Sequence, residues 1–249
     1  MNNYISEKAT IGKDTKIGLN VIIEDNVIIG DNCLIGHNII IHEGSKIGSG
    51  VRIDDGTIVG KEPLFSPRSI FKKKTFDPAQ IGDDCLIGVN VVIYVGCVIG
   101  DKNLIADFST IRENVKVGDI NIIGRNVTIE NFVNIGSRCK FETNVYITAY
   151  SEVGDYCFVA PCVATSNDNY MARDKERYNH FKGVTLKTGA RIGVNATILP
   201  GKIIEEDGMV AAGSVVSKNV PKEKVVLGHP AKVIRDVDEK QLLKNNLDK

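Results

Sequence analysis

Every sixth residue over most of this chain is Ile, Val or Leu, with Phe141 the one aromatic exception. The series runs from Ile5 through Ile11 and Ile17 to Val59, restarts in a new phase at Ile81 and continues to Val159, and holds again from Leu186 to Val216. Glycine follows many of these positions, as at Gly12, Gly18, Gly36, Gly88 and Gly193. A period of six suits neither a helix at 3.6 nor a plain strand at 2, so it marks a repeat architecture. Six residues make one short strand and one turn, and three such units close a triangular coil of about eighteen residues. No coil can bury its own apolar face, so the coils must stack, Ile upon Ile, for about ten turns.

Two segments break the count. Residues 60–80 (GKEPLFSPRSIFKKKTFDPAQ) carry three prolines and the basic run Lys72, Lys73 and Lys74; residues 166–183 (SNDNYMARDKERYNHFKG) have no six-fold spacing. Loops of this length in a compact fold are usually functional or disordered. Counted in threes from Ile5, Val59 falls on the same corner as Ile93, Ile111, Ile129, Ile147 and Thr165, so both loops are expected to leave one edge of the prism. The hexads stacked there read Tyr94-Val95-Gly96, Arg112-Glu113-Asn114, Glu130-Asn131-Phe132, Thr148-Ala149-Tyr150 and Ser166-Asn167-Asp168. Where other corners show Ile-Gly, this one shows charges, amides and aromatics. Exposed corners carry charge freely, and Asn tolerates the left-handed turn conformation. Two insertions and a polar-aromatic column on one edge make it the expected substrate site.

Lys+Arg and Asp+Glu both number 31, which gives no electrostatic case for nucleic acid. No apolar run approaches a membrane span, and the amino-terminal residues lack the pattern of a signal peptide, so a cytoplasmic protein is expected. Cys33, Cys85, Cys97, Cys139 and Cys157 each stand four residues after a repeat Ile or Val, in a slot otherwise held by residues such as Val27, Ser45 or Thr57. They read as small core residues, not as disulfides or metal ligands.

The hexad pattern resembles the left-handed parallel β-helix acyltransferases, which implies an all-β fold with left-handed coils over residues 1–235. Residues 236–249 (DVDEKQLLKNNLDK) read as a charged amphipathic helix capping the last coil. The segment Thr165-Ser166-Asn167-Asp168-Asn169-Tyr170 resembles the Thr-Asn-Asp-x-Tyr segment of N-acetyltransferases acting on nucleotide-linked (dTDP or UDP) amino sugars, with Ser166 inserted and Met171 where those enzymes usually have Pro. The absence of a Rossmann-like amino-terminal domain tilts that resemblance toward a 3-amino sugar. Gly193-Val194-Asn195, Ala212-Gly213-Ser214 and the Gly228 to Lys232 turn resemble the coils that hold coenzyme A in this family. The resemblance thus implies acetyl-CoA as co-substrate, no metal, and a homotrimer in which acceptor and coenzyme meet between subunits.

Direct attack of a sugar amine on the thioester needs a neutral, aimed amine and a donor to the developing oxyanion. A carboxylate can orient the amine and take its proton. Glu113 is the first candidate, followed by Asp168 and Glu130; its alternative is a plain ion pair with Arg112. Asn131, Asn167 and Asn169 are candidates for binding sugar hydroxyls or the amine. Tyr94, Phe132, Tyr150, Phe65 and Phe71 offer stacking surfaces, beside Arg112. His180 is the competing base, since O-acetyltransferases of this fold use a loop His. Lys187, Arg191, Lys218 and Lys232 are candidates for the coenzyme phosphates, and the first loop (Arg68, Lys72, Lys73, Lys74) for a nucleotide pyrophosphate.

Three other readings compete. A zinc lyase of this fold needs three His, and His37 and His42 find no third at the required spacing. An acyl-ACP-dependent O- or N-acyltransferase of the lipid A type has comparable length and an early insertion. A scaffold protein without activity would bind no acetyl-CoA.

Overall fold

In a computed structural model describing residues 2–67 and 75–247, the chain winds into three sheets of eleven, ten and twelve strands, parallel throughout except for the last strand of the third. The stack is one turn longer on its first face than the ten expected. The arrangement is that of the left-handed parallel β-helix class. Nearly every strand is two residues long, and each pairs with the strand one full coil later. The face that begins at Tyr4–Ile5 is called here the first; the chain then turns at a first edge, crosses the second face, turns at a second edge, and returns from the third face across a third edge. Ile93 pairs with Ile111, Ile111 with Ile129 and Ile129 with Ile147, so like lies on like along the axis. These inward residues are fully buried and form one continuous core.

The corners follow from local chemistry. The third residue after many inward Ile or Val positions has a positive φ, a conformation that Asn, Asp and Gly tolerate best. Asn20, Asn26, Asn32, Asn38, Asn90 and Asn126 occupy it with φ between 54° and 59°. The small slot is buried as expected, but it also forms hydrogen bonds. Cys33, Cys85 and Cys139 donate to the carbonyls of Gly48, Gly100 and Gly154 in the next coil, and Asn103 and Asn121 donate likewise to Gly118 and Gly136. The Asn103 side-chain oxygen accepts from the Asn121 amide, and the Asn121 oxygen accepts from the Cys139 amide. A ladder of amides and thiols therefore stitches this corner together inside the core. Cys162, outside the slot, is exposed.

The carboxyl terminus departs from expectation. No capping α-helix forms among the described residues. Lys224–Gly228 and Ala231–Asp236 make an antiparallel hairpin on the third face, followed by 3₁₀ turns at Glu239–Gln241 and Leu243–Asn245. Asp238 caps the first turn by accepting from the Lys240 amide, and Val237 and Leu242 pack on Val225 with Met209. The β-branched residues Val225, Val226, Val233 and Ile234 suit a hairpin, whereas the charged tail beyond it has too few apolar positions to bury a helical stripe.

Both insertions leave the first face and cross the first edge. One departs at Ile58–Lys61 and returns at Gln80–Ile81; the other departs at Ala164–Thr165 and returns before Thr185–Leu186. Pairing bridges each gap, with Ile58 against Val92 and Ala164 against Thr197, so neither insertion shifts the faces. Arg68, Phe71, Lys72, Lys73 and Lys74 lie outside the described residues.

Candidate functional site

The first edge carries a column of side chains spaced one coil apart. At its near end the Tyr94 ring lies between two cations, with Lys61 Nζ at 4.8 Å and the Arg112 guanidinium at 5.0 Å from its centre. Arg112 donates to Glu113 through Nε at 2.9 Å and Nη2 at 3.2 Å, and reaches Glu130 with Nη1 at 3.5 Å. Glu113 is almost wholly buried, so its charge depends on that two-pronged grip. The Tyr146 hydroxyl stands beside Glu130; burial, and then the Glu130 charge, push its phenol above the ordinary range. Tyr150 is raised in the same direction by burial and by Glu113.

Phe132 and Tyr150 stack face to face, with centroids 5.5 Å apart and planes 1° from parallel. Both hold φ near +60°, at 58° and 63°, where bulky residues are strained. Asn131, between these turns, is 4% exposed, and among the described residues its Nδ2 has no hydrogen-bond partner.

The second loop closes over this column. Its neck is tied by the Lys182 amide donating to the Asn167 carbonyl, and it re-enters at Gly183, where a Cβ would collide with the backbone of Tyr150 and Ser151. Asp168 organises the loop from within. Its carboxylate accepts from the amides of Tyr170 at 2.8 Å and Ala172 at 3.1 Å, with Arg177 Nη1 at 3.5 Å. Desolvation disfavours its charge, but these amides and Arg177 outweigh it and hold the carboxyl below the usual range.

Beneath the loop is a pocket of about 240 Å³ lined by Glu130, Asn131, Tyr146, Thr148, Ala149, Tyr150, Asn167, Asp168, Arg177 and Phe181. It brings together five residues expected from the sequence: Glu130, Asn131, Tyr150, Asn167 and Asp168. Tyr94, Arg112, Glu113 and Phe132 form the adjoining part of the column. Asn169 is exposed, and His180 faces outward, stacked on Tyr170 at 5.6 Å with Nε2 3.2 Å from Glu176. Sequence reasoning missed Tyr146, Arg177 and Phe181. Tyr146 could have been found as the outward residue before Ile147, whereas nothing local marks two residues of an aperiodic loop as folding back. A larger groove of about 530 Å³ runs along the third face, but its acids are engaged, Asp54 with Arg52 and Asp55 with the His37 amide.

The residues expected to hold coenzyme A do not gather in one place within a chain. Asn195, Ala212 and Gly213 stand exposed on the third edge, and a Cβ at Gly213 would meet nothing within 4 Å. That open ledge suits a thin extended ligand. Lys218 is on the first edge, Lys187 on the second, Arg191 on the third face and Lys232 in the hairpin. His37 and His42 occupy the third and first edges respectively, so they cannot share a metal; among the described residues no group of three or more His, Cys, Asp or Glu could hold one.

Stacked hexads in three parallel faces with two excursions over one edge describe a hexapeptide-repeat solenoid. Residues 8–38, 20–55 and 78–113 match the bacterial transferase hexapeptide (six repeats), and 114–149 and 188–218 match the hexapeptide repeat of succinyl-transferase, together more than half of the chain. The chain belongs to the hexapeptide-repeat transferase family. It is 57% identical over 49 residues to a 2,3,4,5-tetrahydropyridine-2,6-dicarboxylate N-acetyltransferase of Clostridium perfringens, covering 20% of this chain and 21% of that protein. It is 38% identical over 63 residues to the mitochondrial gamma carbonic anhydrase 2 of Arabidopsis thaliana, covering 24% and 23% respectively. A solved UDP-N-acetylglucosamine acyltransferase from Arabidopsis shares the fold with a TM-score of 0.65 at 20% identity, over 98% of this chain and 76% of that one. The chain spans less than half the length of the curated relatives it matches. No helix among the described residues is long and apolar enough to cross a membrane.

Proposed function

We propose that the protein is an acetyl-CoA-dependent N-acetyltransferase acting on a nucleotide-linked amino-deoxy sugar, a 3-amino sugar by preference. The observation that carries this reading is the pocket under the second loop, where carboxylates, an unpartnered amide and an aromatic stack converge. Sugar hydroxyls and an amine want such a mixture of acceptors and donors. Glu130 is the best-placed base. It lines the pocket, with a 3.5 Å contact to Arg112 and the Tyr146 hydroxyl beside it, so carboxylate lone pairs remain for an ammonium or amine, whereas both Glu113 oxygens are held by Arg112. Glu130 orients the amine and takes its proton as nitrogen forms its bond to the thioester carbonyl carbon. The C–S bond then breaks and the thiolate leaves, to be protonated in turn. Asn131 Nδ2 is a donor for a sugar oxygen or for the developing oxyanion. The outward position of His180 favours an amine acceptor over a hydroxyl, which needs a stronger base.

The reading includes a homotrimer, and the first face supports it. The residues that precede its inward Ile, Val or Thr, from Tyr4 and Ile22 through Thr128 and Tyr146 to Val215, include no charge, Lys61 standing at the margin beside the first edge, while the second face carries Lys46, Lys116 and Glu152 and the third Arg52 and Lys140. All-parallel sheets are normally covered on both sides. If first faces surround a threefold axis, the first edge of one subunit meets the third edge of the next. The acceptor pocket then faces the neighbour's Asn195, Ala212 and Gly213, which would hold the pantetheine arm. Lys187, Lys218 and Lys232 are left as candidates for the coenzyme phosphates.

The test is incubation with acetyl-CoA and a panel of dTDP- and UDP-linked amino sugars, following thiol release, with calorimetry for coenzyme binding. Release with an amino sugar supports the reading. No release with any of them and no coenzyme binding would leave a scaffold protein.

A further inference from the structure

A second polar pocket, of about 290 Å³, lies on the second edge beneath the carboxyl-terminal turns. Tyr156, Asp207 and Arg191 form its floor, and Lys240 and Leu243 close it from the tail. It is remote from the first edge, because the second edge borders neither the first face nor the column of Glu130 and Asn131. The proposed transfer reaction makes no use of it.

Arg191 is the reason to look there. It projects from the third face between Phe158 and Met209 and is partly covered by the tail. Its Nε and Nη2 are both buried, and among the described residues neither has a hydrogen-bond partner. Those two nitrogens form one edge of the guanidinium, the same fork with which Arg112 grips both oxygens of Glu113. A guanidinium is always charged, and two buried donors without acceptors are costly unless an oxyanion completes them. The acid in the pocket does not do so. Both Asp207 oxygens accept from the Leu243 amide, at 3.1 and 3.2 Å. Burial raises the Asp207 carboxyl, and the Leu243 amide and Arg191 offset this only in part. A second guanidinium, that of Arg138, lies 5.8 Å from the centre of the Tyr156 ring on the same wall. Lys240 adds a third cation from the tail.

We propose that this pocket binds a phosphate group, either the free ion or the terminus of a phosphorylated metabolite, with Arg191 as bidentate anchor and Lys240 closing over it. The fork calls for two oxygens on one centre, and Arg191 and Lys240 in the lining, with Arg138 behind Tyr156, favour a dianion over a carboxylate. Binding would tie the tail, through Lys240, to the second edge.

The experiment is calorimetric titration of the full-length protein at low ionic strength with inorganic phosphate, with acetate as the singly charged carboxylate and a phosphorylated sugar as the esterified form. The wild type should bind phosphate and not acetate, and whichever phosphate form binds more tightly identifies the source. Arg191→Gln should weaken binding about tenfold or more, and Asp207→Asn should tighten it several-fold by removing the opposing charge. Circular dichroism checks that each variant folds; should Arg191→Gln fail to fold, the Asp207→Asn comparison decides. No phosphate binding by the wild type, equal binding of acetate, or wild-type affinity in both variants would overturn the proposal. None of these outcomes depends on whether acetyl transfer is observed.

Discussion

Arg112 holds Glu113 through both carboxylate oxygens, at 2.9 and 3.2 Å, yet meets Glu130 one coil away at only 3.5 Å. Two acids therefore share one guanidinium unequally, Glu113 by two bonds and Glu130 by one long one, and the proposed base is the less tightly held of the two. Glu130→Gln should lower kcat/KM about a hundredfold with little change in Tm, the usual loss when a positioned base is removed. Glu113→Ala should cost about 3 kcal/mol of stability by leaving Arg112 without its buried partner. Steady-state kinetics with parallel thermal melts check the pair. A stable Glu113→Gln that is catalytically dead, beside an active Glu130→Gln, would move the base to Glu113.

The internal ladder makes a prediction about the core. Asn121 accepts from the Cys139 amide at 2.7 Å and donates to the Gly136 carbonyl at 3.1 Å, so Asn121→Leu strands two buried backbone groups. A loss of about 3 kcal/mol in urea unfolding is expected, in spite of the gain in apolar volume. Cys139→Ser keeps a donor to Gly154 and should fall within about 1 kcal/mol of wild type. Equal losses for the two would mean that the slot only fills space.

Ile120 holds φ at 59° and is half-exposed on the second edge, a conformation that a β-branched side chain rarely adopts. Ile120→Asn should therefore stabilise the chain by about 1 kcal/mol, seen as a Tm a few degrees higher. A lower Tm would show that packing of the side chain outweighs its backbone strain.

The second loop should be sensitive to acid. The folded state holds the Asp168 carboxyl below its ordinary value, so the stabilisation is complete above the unfolded pKa, about 3.9, and fades as pH falls through the lower folded value. Hydrogen exchange at the Tyr170 and Ala172 amides reports this directly. Both should stay protected in the wild type until the pH drops below about 4 and exchange freely at neutral pH in Asp168→Asn, whose amide group makes weaker acceptor bonds. Unchanged protection in the variant would assign the loop's order to other contacts.

The uncharged first face yields a test of assembly. Thr128→Arg places a cation in its middle and should convert the proposed trimer to folded monomers by light scattering, with loss of the proposed transfer activity. Asn134→Arg, on the second face, should leave the mass unchanged. Retention of the wild-type mass by Thr128→Arg would exclude the first face as the interface.

Because a solenoid repeats one coil along one axis, residue i meets residue i+18, and the hexad count alone orders the faces. Val59, Ile111 and Thr165 could be assigned to one face, and both loops to one edge, without coordinates. Strand pairing resumes across each insertion, so the count survived both. The helix expected for residues 236–249 failed for the opposite reason. Beyond Val216 the period ends; a hairpin over residues 224–236 follows, and the short charged tail after it folds by what it can cover, as two 3₁₀ turns with Val237 and Leu242 against Val225 and Met209.

The order of residues thus established the three-sided stack, the buried Ile columns, the place of the cysteines and the edge on which to look, because each depends on contacts at a constant spacing. Three features needed the packed molecule: that Arg112 grips Glu113 with two bonds and Glu130 with one long one, that Arg177 and Phe181 fold back over Asn131, and that the tail partly covers Arg191. Each depends on a rotamer or a loop path chosen by competing non-local partners, which no period along the chain records.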